Sequence, residues 1–302
     1  MTRRFTAVGA PGAVAASLAI AFVAMLAATS QASLIVNGDF ENTTGWTAAG
    51  TTGFPPGWGA NGGRNNAATQ HSGAHAIGGS GTSAYIPAGS GENPQREIEQ
   101  ALAVKTGPNW LFEMDFAAES PGGSGSSFRT LSGAVQQTTS GDLLNIFFIV
   151  TGDDADGRGD LMMYTGAANG YQTVLPNAVI YDTDVQASPL THHLTIEGDF
   201  TSGTPGLSVS ISDSDGVLHS ASGLGSLVLE GNGNPPVNVP ATTDALDGID
   251  FVSFNSFLST GDHLIDNVSI ANVVPSAVPE PGTLALAGLG ALGMLIWSRR
   301  RR

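Results

Sequence analysis

The sequence predicts an all-β protein: an antiparallel β-sandwich or jelly roll, flanked by an N-terminal signal helix and a C-terminal single transmembrane helix. Between residues 33 and 275, short apolar or alternating runs are separated by Gly, Asn, Asp and Pro, with no convincing helical stripe. About twelve such runs at this spacing are typical of a two-sheet sandwich. No fixed-period repeat is present, which disfavours a solenoid.

The expected strands and loops follow from these runs. Candidate strands are residues 34–36, 74–77, 98–104, 110–117, 143–151, 161–164, 179–181, 192–197, 207–212, 227–230, 249–257 and 264–270. Three long stretches lack a core-forming pattern and are expected to be surface loops: the Gly/Ser-rich 120–137, the acidic 152–160 and the proline-containing 231–247.

The composition excludes several classes of protein. The 302 residues include no Cys, which rules out a disulfide scaffold, a thiolate zinc site and a Cys nucleophile. The 26 Asp and Glu outnumber the 11 Lys and Arg. Because phosphate binding needs clustered basic residues, the net charge of -15 argues against a nucleic-acid partner.

Residues 1–32 have the pattern of a secretory signal peptide. Arg3 and Arg4 precede an apolar run over 13–28, and the small residues Ser30 and Ala32 form a cleavage site. This pattern implies the secretion translocon and signal peptidase as partners. An uncleaved N-terminal anchor is the alternative.

Residues 276–302 contain three parts in a fixed order. A rigid motif comes first, then an uncharged Leu/Ala/Gly-rich stretch over 283–297 that predicts a thin transmembrane helix, and then a basic end that stays cytoplasmic. The motif residues are Val278, Pro279, Glu280, Pro281 and Gly282, and the basic stop is Arg299, Arg300, Arg301 and Arg302.

This tail resembles the PEP-CTERM sorting signal in all three parts. The resemblance implies export, transient anchoring in the inner membrane, and recognition by an exosortase, a membrane-embedded protease. Cleavage near the motif would then release the exported domain to the cell surface, the outer envelope or the extracellular matrix. A plain single-span anchor is the alternative.

The exported domain, residues 33–275, resembles the galactose-binding-like jelly roll of carbohydrate-binding modules. The matching strings are 34–41, 71–76, 98–102 and 264–270. The resemblance implies a structural calcium ion bound by Glu41 and Asp266, with Asp39 in support. The alternative makes Asp39 a turn residue and Asp266 a strand-edge partner of Asn267.

Two further acidic segments are expected to be turns. Residues 153–160 lack the ligand pattern of an EF-hand and predict a solvated hairpin loop, in which the tripeptide Arg158-Gly159-Asp160 is a chance occurrence. Residues 213–216, Asp-Ser-Asp-Gly, predict a hairpin turn.

Sugar binding would need aromatic ring faces beside amide or carboxylate groups. Trp58 is the best loop aromatic for this role, although a structural role for it is the alternative, and Tyr85 and Tyr171 are weaker candidates. Trp46 and Trp110 have apolar neighbours and are expected in the core.

Sequence signatures of common enzymes are missing. Neither Gly-x-Ser-x-Gly, His-Glu-x-x-His nor a phosphate loop is present. Glu113 and Asp115 would share one strand face, which leaves a glycosidase pair open but is typical of a solvated face. His192 and His193 would point to opposite faces.

We interpret the chain as an exported, non-catalytic protein that binds or packs with extracellular polysaccharide. One alternative is a secreted carbohydrate-active hydrolase, which needs a cleft with two carboxylates at catalytic separation. Another is an ice-binding protein or other surface adhesin, and ice binding would need a flat Thr/Asn array that the sequence does not show.

Mass spectrometry of the natively exported protein tests the interpretation of the tail. We expect a C-terminus near residues 279–282, because the protease is expected to cut beside the Pro-Glu-Pro motif. An intact C-terminal Arg302 in the exported protein would instead indicate a plain anchor.

Overall fold

The structure is a computed structural model, and it describes most of the chain between residues 33 and 273. The described ranges are 33–46, 54–59, 69–89, 97–123, 128–137, 144–154, 157–164, 170–201, 206–225, 229–230, 237–238, 248–256 and 259–273. Both predicted terminal helices and the sorting motif lie outside these ranges, and the two helices stay predictions. Within the described ranges, no helix is long and apolar enough to cross a membrane.

Seven strands form one antiparallel sheet. They are β1 (Thr69–Ser72), β2 (Thr82–Ile86), β4 (Asn109–Ala118), β9 (His192–Asp199), β10 (Gly206–Ser212), β11 (Leu218–Ala221) and β15 (His263–Asn272). Their order is β1-β2-β15-β4-β9-β10-β11, so the last strand in sequence lies inside the sheet. Two short 3-10 turns, Gly73–His75 and Ile77–Gly79, connect β1 to β2.

Eight strands form the second antiparallel sheet. They are β3 (Glu97–Ala101), β5 (Arg129–Gln137), β6 (Leu144–Asp154), β7 (Arg158–Tyr164), β8 (Tyr171–Ile180), β12 (Leu229–Glu230), β13 (Val237–Asn238) and β14 (Phe251–Asn255). The main order is β13-β12-β6-β5-β14-β3, and β7 joins β6 to β8.

The two sheets pack face to face through alternate side chains. In β4, Trp110, Phe112, Met114 and Phe116 are buried, and the residues between them are partly exposed. Phe112 contacts Phe148 and Phe254 of the other sheet, with ring centroids 6.2 and 6.4 Å apart. The predicted antiparallel two-sheet sandwich is therefore confirmed.

The first described segment closes one side of the sandwich without forming a ladder strand, in contrast to the strand predicted at 34–36. The side chain of Gln100 takes the place of a neighbouring strand. Its Oε1 accepts from the Val36 N–H at 2.6 Å, and its Nε2 donates to the Val36 carbonyl at 2.8 Å. The Leu34 N–H donates to the carbonyl of Ile270, so the start of the domain lies against its last strand.

The Gly/Ser-rich stretch predicted as a loop over 120–137 contains a central strand, and this prediction was wrong. Leu131 and Val135 of β5 face the core and are fully buried. The position between them is Gly133, where an added Cβ would overlap the ring of Phe148. Because the sheet needs a glycine beside that ring, the apolar alternation of β5 is interrupted in the sequence.

Other element boundaries also differ from the predictions. The strand predicted at 74–77 is replaced by the two 3-10 turns, and the one at 179–181 is the end of β8. The acidic stretch 152–160 is a hairpin as expected, although β6 and β7 extend far into it. The turn at 213–216 is confirmed by the Gly216 N–H, which donates to the Asp213 carbonyl.

Arg158 joins the two sheets at the end of this hairpin. Its Nη1 lies 3.2 Å from the buried Asp213 Oδ2, which follows β10 of the other sheet, and its Nη2 lies 3.6 Å from Asp215. Asp160 accepts from Thr173 and from the Asn177 N–H. The tripeptide Arg158-Gly159-Asp160 therefore makes contacts within the fold.

The packing at Gly133 can be tested by adding one methyl group. We expect Gly133→Ala to lower the free energy of unfolding by about 1–3 kcal/mol, because Phe148 must move to admit the Cβ. Urea denaturation of the full chain in detergent measures this change. Gly59→Ala is the matched control, since no atom would lie within 4 Å of its Cβ. Equal stability of the two variants would contradict the explanation.

Candidate functional site

The outer face of the eight-stranded sheet carries a cluster of aromatic side chains. Phe148 and Met163 point into the core, so their neighbours Phe147 and Tyr164 point outward, and Tyr171 pairs with Tyr164 across β7 and β8. We call Phe147, Tyr164, Tyr171 and Arg129 the aromatic face. All three rings are partly exposed.

Successive side chains of the aromatic face contact one another. The Phe147 and Tyr164 ring centroids are 6.4 Å apart with an interplanar angle of 85°, and those of Tyr164 and Tyr171 are 5.2 Å apart. The Arg129 guanidinium lies 4.8 Å from the centroid of the Tyr171 ring. This distance is typical of a cation–π contact.

The contact between Arg129 and Tyr171 spans two intervening strands. At about 4.8 Å per strand, β5 and β8 would be about 14 Å apart in a flat sheet. The side chains of Arg129 and Tyr171 therefore extend towards each other across the outer surface of the sheet. Ile149 on the same face is 0% exposed. Burial raises the pKa of Tyr171, while the nearby positive charge of Arg129 opposes that rise.

Polar side chains extend the aromatic face towards the other edge of the sheet. The β-ladder register places Gln136 of β5, Asn255 of β14 and Glu99 of β3 on its outer side, and all three are partly exposed. Aromatic rings beside amides and a carboxylate are the combination that the sequence analysis required for sugar binding. Only Tyr171 of this set was singled out from the sequence.

Trp58 and Tyr85 do not offer their rings to solvent, which corrects their assignment as sugar-binding candidates. Trp58 is 6% exposed, packs on Phe40 with centroids 5.4 Å apart, and donates its indole N–H to the Asn37 carbonyl. The turn before Trp58 folds its ring back onto the core. The hydroxyl of Tyr85, which is 8% exposed, is held by Asp262 and Gln186.

Trp46 and Trp110 are buried as predicted, at 4% and 0% exposure. They reach the core in different ways. Trp46 packs near Phe40 in the first segment, with ring centroids 6.0 Å apart. Trp110 contacts Phe200 edge-on, with centroids 5.8 Å apart.

The structure places two of the three residues that were predicted to bind calcium at the same strand. Glu41 Oε1 accepts from the Thr82 N–H at 2.8 Å, and Asp266 Oδ2 accepts from the Ser83 hydroxyl at 2.8 Å, so both carboxylates lie at β2. Asp39 is exposed and accepts from the Glu41 N–H, as the turn alternative expects. Among the described residues, no three His, Asp or Glu side chains form a group that could hold a metal ion.

Asp266 has an unusual electrostatic environment. Burial raises the pKa of Asp266 to about 7, and the negative charges of Asp115 and Glu41 add to this effect. The hydrogen bonds from Ser83 and from the Asn267 N–H oppose it. Two carboxylates at this position are hard oxygen donors of the type that calcium prefers, so Glu41 and Asp266 fit a calcium ion in part.

The outer face of the seven-stranded sheet carries an acid–histidine cluster, consisting of Glu113, Asp115, His193 and Asn267. His193 Nδ1 lies 2.7 Å from Asp115 Oδ1, and its Nε2 lies 3.6 Å from Glu113 Oε1. Asn267 donates to the other Asp115 oxygen at 2.8 Å. Glu113 and Asp115 therefore share a strand face as predicted, but strand pairing places a histidine between them.

The opposite orientations predicted for the two adjacent histidines are also confirmed. His192 is fully buried, whereas His193 is partly exposed. The His192 ring stacks on Phe116 with centroids 5.1 Å apart, and its Nε2 accepts from the Ile180 N–H. Burial lowers the pKa of His192.

The comparison with protein families identifies the C-terminal tail. Residues 277–302 match the model of the PEP-CTERM protein-sorting motif. The recognition of this motif in the sequence is thereby confirmed. The motif implies an exported protein that is processed by an exosortase and has a C-terminal membrane anchor before processing.

Solved structures similar to the chain include plant lectins and a lyase. Lectin II from Ulex europaeus is 11% identical, with 64% of this chain and 87% of the lectin covered and a TM-score of 0.38. The winged bean acidic lectin is 10% identical, with 72% and 95% covered and a TM-score of 0.37. The alginate lyase from Klebsiella pneumoniae is 7% identical, with 64% and 81% covered and a TM-score of 0.35.

The search of curated proteins gives no match. At the identities and TM-scores of the solved structures, similarity carries no information about ligand or activity.

The raised pKa of Asp266 predicts that stability depends on pH. The pKa is about 7 in the folded chain against an ordinary value of 3.8, so the folded state binds more protons between these values. The free energy of unfolding should therefore fall by up to about 4 kcal/mol as pH rises from about 4 to about 7 in calcium-free buffer. Asp266→Asn stays neutral and should remove this contribution.

Denaturant titrations at a series of pH values measure the effect. Asp39→Asn, at an exposed carboxyl on the same side, is the control and should keep the wild-type slope. Burial also raises the pKa of Asp182, to about 6. Asp182 titrates in the wild type and in both variants, so its contribution to the pH dependence of stability cancels when they are compared. A wild-type slope in Asp266→Asn would contradict the prediction.

Proposed function

We propose that the chain is an exported protein whose tail is removed by an exosortase, and whose β-sandwich binds extracellular polysaccharide through the aromatic face. The observation that carries the proposal is the contact chain Phe147–Tyr164–Tyr171–Arg129 on an outer sheet face. The sorting motif supports export of the domain, so the polysaccharide that it would meet is extracellular.

The chemistry of the aromatic face supports a sugar ligand. Tyrosine rings present a flat apolar surface to the C–H face of a sugar ring, and their hydroxyls still form hydrogen bonds. Arg129 and the packed rings restrict the rotamers of Tyr171, so little side-chain entropy remains to be lost on binding. Gln136 and Asn255 bring amide donors and acceptors to the same face.

We propose binding without catalysis as the activity. The two carboxylates that sequence analysis left open for a glycosidase, Glu113 and Asp115, both contact His193 on the opposite outer face, far from the tyrosines. A hydrolase would release reducing ends from the polymer. Incubation of the full chain with each polysaccharide tested below, followed by a reducing-sugar assay, distinguishes the two functions.

We also propose that a calcium ion binds at Glu41 and Asp266 and joins the first segment to β2 and β15. The ion would offset the cost of charging Asp266, which burial raises first and the nearby charges of Asp115 and Glu41 raise further. At pH 8 we expect calcium to raise the melting temperature of the full chain in detergent, and a chelator to reverse the rise. Glu41→Gln should abolish the response, and Asp39→Asn should keep it. The absence of a response in the wild type would contradict calcium binding.

Loss of the Tyr171 ring should weaken polysaccharide binding. We expect Tyr171→Ala to lower affinity about tenfold, which corresponds to about 1.4 kcal/mol, because a stacking surface is lost. Tyr171→Phe keeps the ring and is the matched control, with affinity near that of the wild type. Affinity electrophoresis of the full chain in mild detergent through gels containing dextran, galactomannan or alginate measures binding. Unretarded migration of the wild type in all three gels would overturn the proposed function.

A further inference from the structure

A groove crosses the outer face of the seven-stranded sheet at its β11 edge. The register pairs Ser208 with Glu197 and Ser210 with Thr195 across β9 and β10, and Ser210 with Ser220 across β10 and β11. The groove has a volume of about 300 Å³. This volume is at the lower end of the range for small-molecule sites. The side chains of the β10 serines are short and leave space on the sheet surface. The longer side chains of Glu197 and Leu218 border this space.

The lining combines hydroxyl groups with one carboxylate and the apolar residues Val209, Leu218 and Ala221. Ser208 Oγ donates to Glu197 Oε2 at 3.1 Å. Leu218 is 68% exposed at the rim. The described lining also includes Thr195, Ser210, Ser220 and Ser222, which supply further hydroxyl groups. It includes no Lys or Arg, which disfavours an anionic ligand.

Hydroxyls that both donate and accept, a carboxylate acceptor and a small apolar surface suit a neutral, polyhydroxylated ligand. Glu197 would accept charge-assisted hydrogen bonds from sugar hydroxyls, and such bonds are stronger than neutral ones. Leu218 would contact the C–H face of a sugar ring. The chemistry therefore corresponds to a neutral saccharide rather than to a uronic acid.

The groove and the aromatic face lie on opposite sides of the sandwich. Each is on the outer side of its own sheet, and the two sheets pack about 10 Å apart. A stiff segment of one glycan chain cannot lie on both surfaces at once. Two occupied sites on one domain would therefore hold two polysaccharide chains.

We propose that the groove is a second saccharide site, specific for neutral sugars, and that the domain crosslinks two polysaccharide chains. The crosslinking part rests on the proposed function of the aromatic face. Bivalent attachment of this kind strengthens retention in a polymer network without a new contact, because the second binding event is intramolecular.

Isothermal titration of the full chain in mild detergent with a dextran or a galactomannan hexasaccharide counts the sites. At concentrations too low to fill a site that is weakened about tenfold, we expect two hexasaccharides per chain for the wild type and one for Tyr171→Ala. Ser210→Trp fills the groove and should also leave one. Ser269→Trp introduces the same bulk on the same outer face outside the groove, and it should keep two. Glu197→Ala, which adds no bulk, should weaken the groove site about tenfold.

Light scattering of galactomannan mixed with the full chain, at concentrations too low to fill a site weakened about tenfold, measures crosslinking. The wild type and Ser269→Trp should raise the scattering, and Tyr171→Ala and Ser210→Trp should each abolish the rise.

Two sites in Ser210→Trp, or one wild-type site that only Tyr171→Ala removes, would overturn the second site and leave the proposed function intact. One wild-type site that only Ser210→Trp removes would overturn the proposed function and crosslinking, but not the groove site. No binding of either neutral hexasaccharide would overturn the groove site, and retention in the alginate gel would then still support the aromatic face.

Discussion

The packing of one shared layer of side chains between the two sheets is the constraint on which the rest of the domain depends. Phe112 of one sheet lies against Phe148 and Phe254 of the other, and each strand contributes every second residue to this layer. Because strand side chains alternate, the remaining residues of every strand point outward. The domain therefore has two extended outer faces, and the composition of these faces is free to differ without cost to the core.

The two outer faces use this freedom differently. The eight-stranded sheet places rings and a guanidinium outside, and Ile149 on the same face is buried. The seven-stranded sheet places serines, carboxylates and His193 outside. A ring cluster on a polar surface would lose less entropy when a ligand binds than isolated long side chains would, and this favours the aromatic face as the proposed binding surface.

The acidic composition has a structural consequence near the first segment. Asp266 is buried with Glu41 and Asp115 as negative neighbours, and the described hydrogen bonds to it come from Ser83 and Asn267. A buried carboxylate in this position is costly in its charged form. A proton on Asp266 at low pH removes this cost, so the stability of this corner of the fold depends on pH.

The sequence alone determined the features that depend on local order. The tail motif is contiguous, so residues 277–302 are recognisable without a fold. The strands around β4, β9 and β10 were predicted because each alternates regularly over its own length. Trp46 and Trp110 were placed in the core from their apolar neighbours, and Glu113 and Asp115 were placed on one face by strand periodicity.

Tertiary structure decided what depends on pairing between distant segments. β5 was missed because Gly133, required by the ring of Phe148, interrupts its apolar pattern. Tyr164 and Tyr171 pair across β7 and β8, and Arg129 reaches Tyr171 only because β5, β6, β7 and β8 are neighbours in the sheet. His193 meets Asp115 across 78 residues of sequence. Because prolines and glycines flank Trp58, the sequence predicted an aromatic residue in a loop. The turn before Trp58 instead places its ring against Phe40. Local periodicity sets which face a side chain takes, and strand order sets which side chains meet on that face.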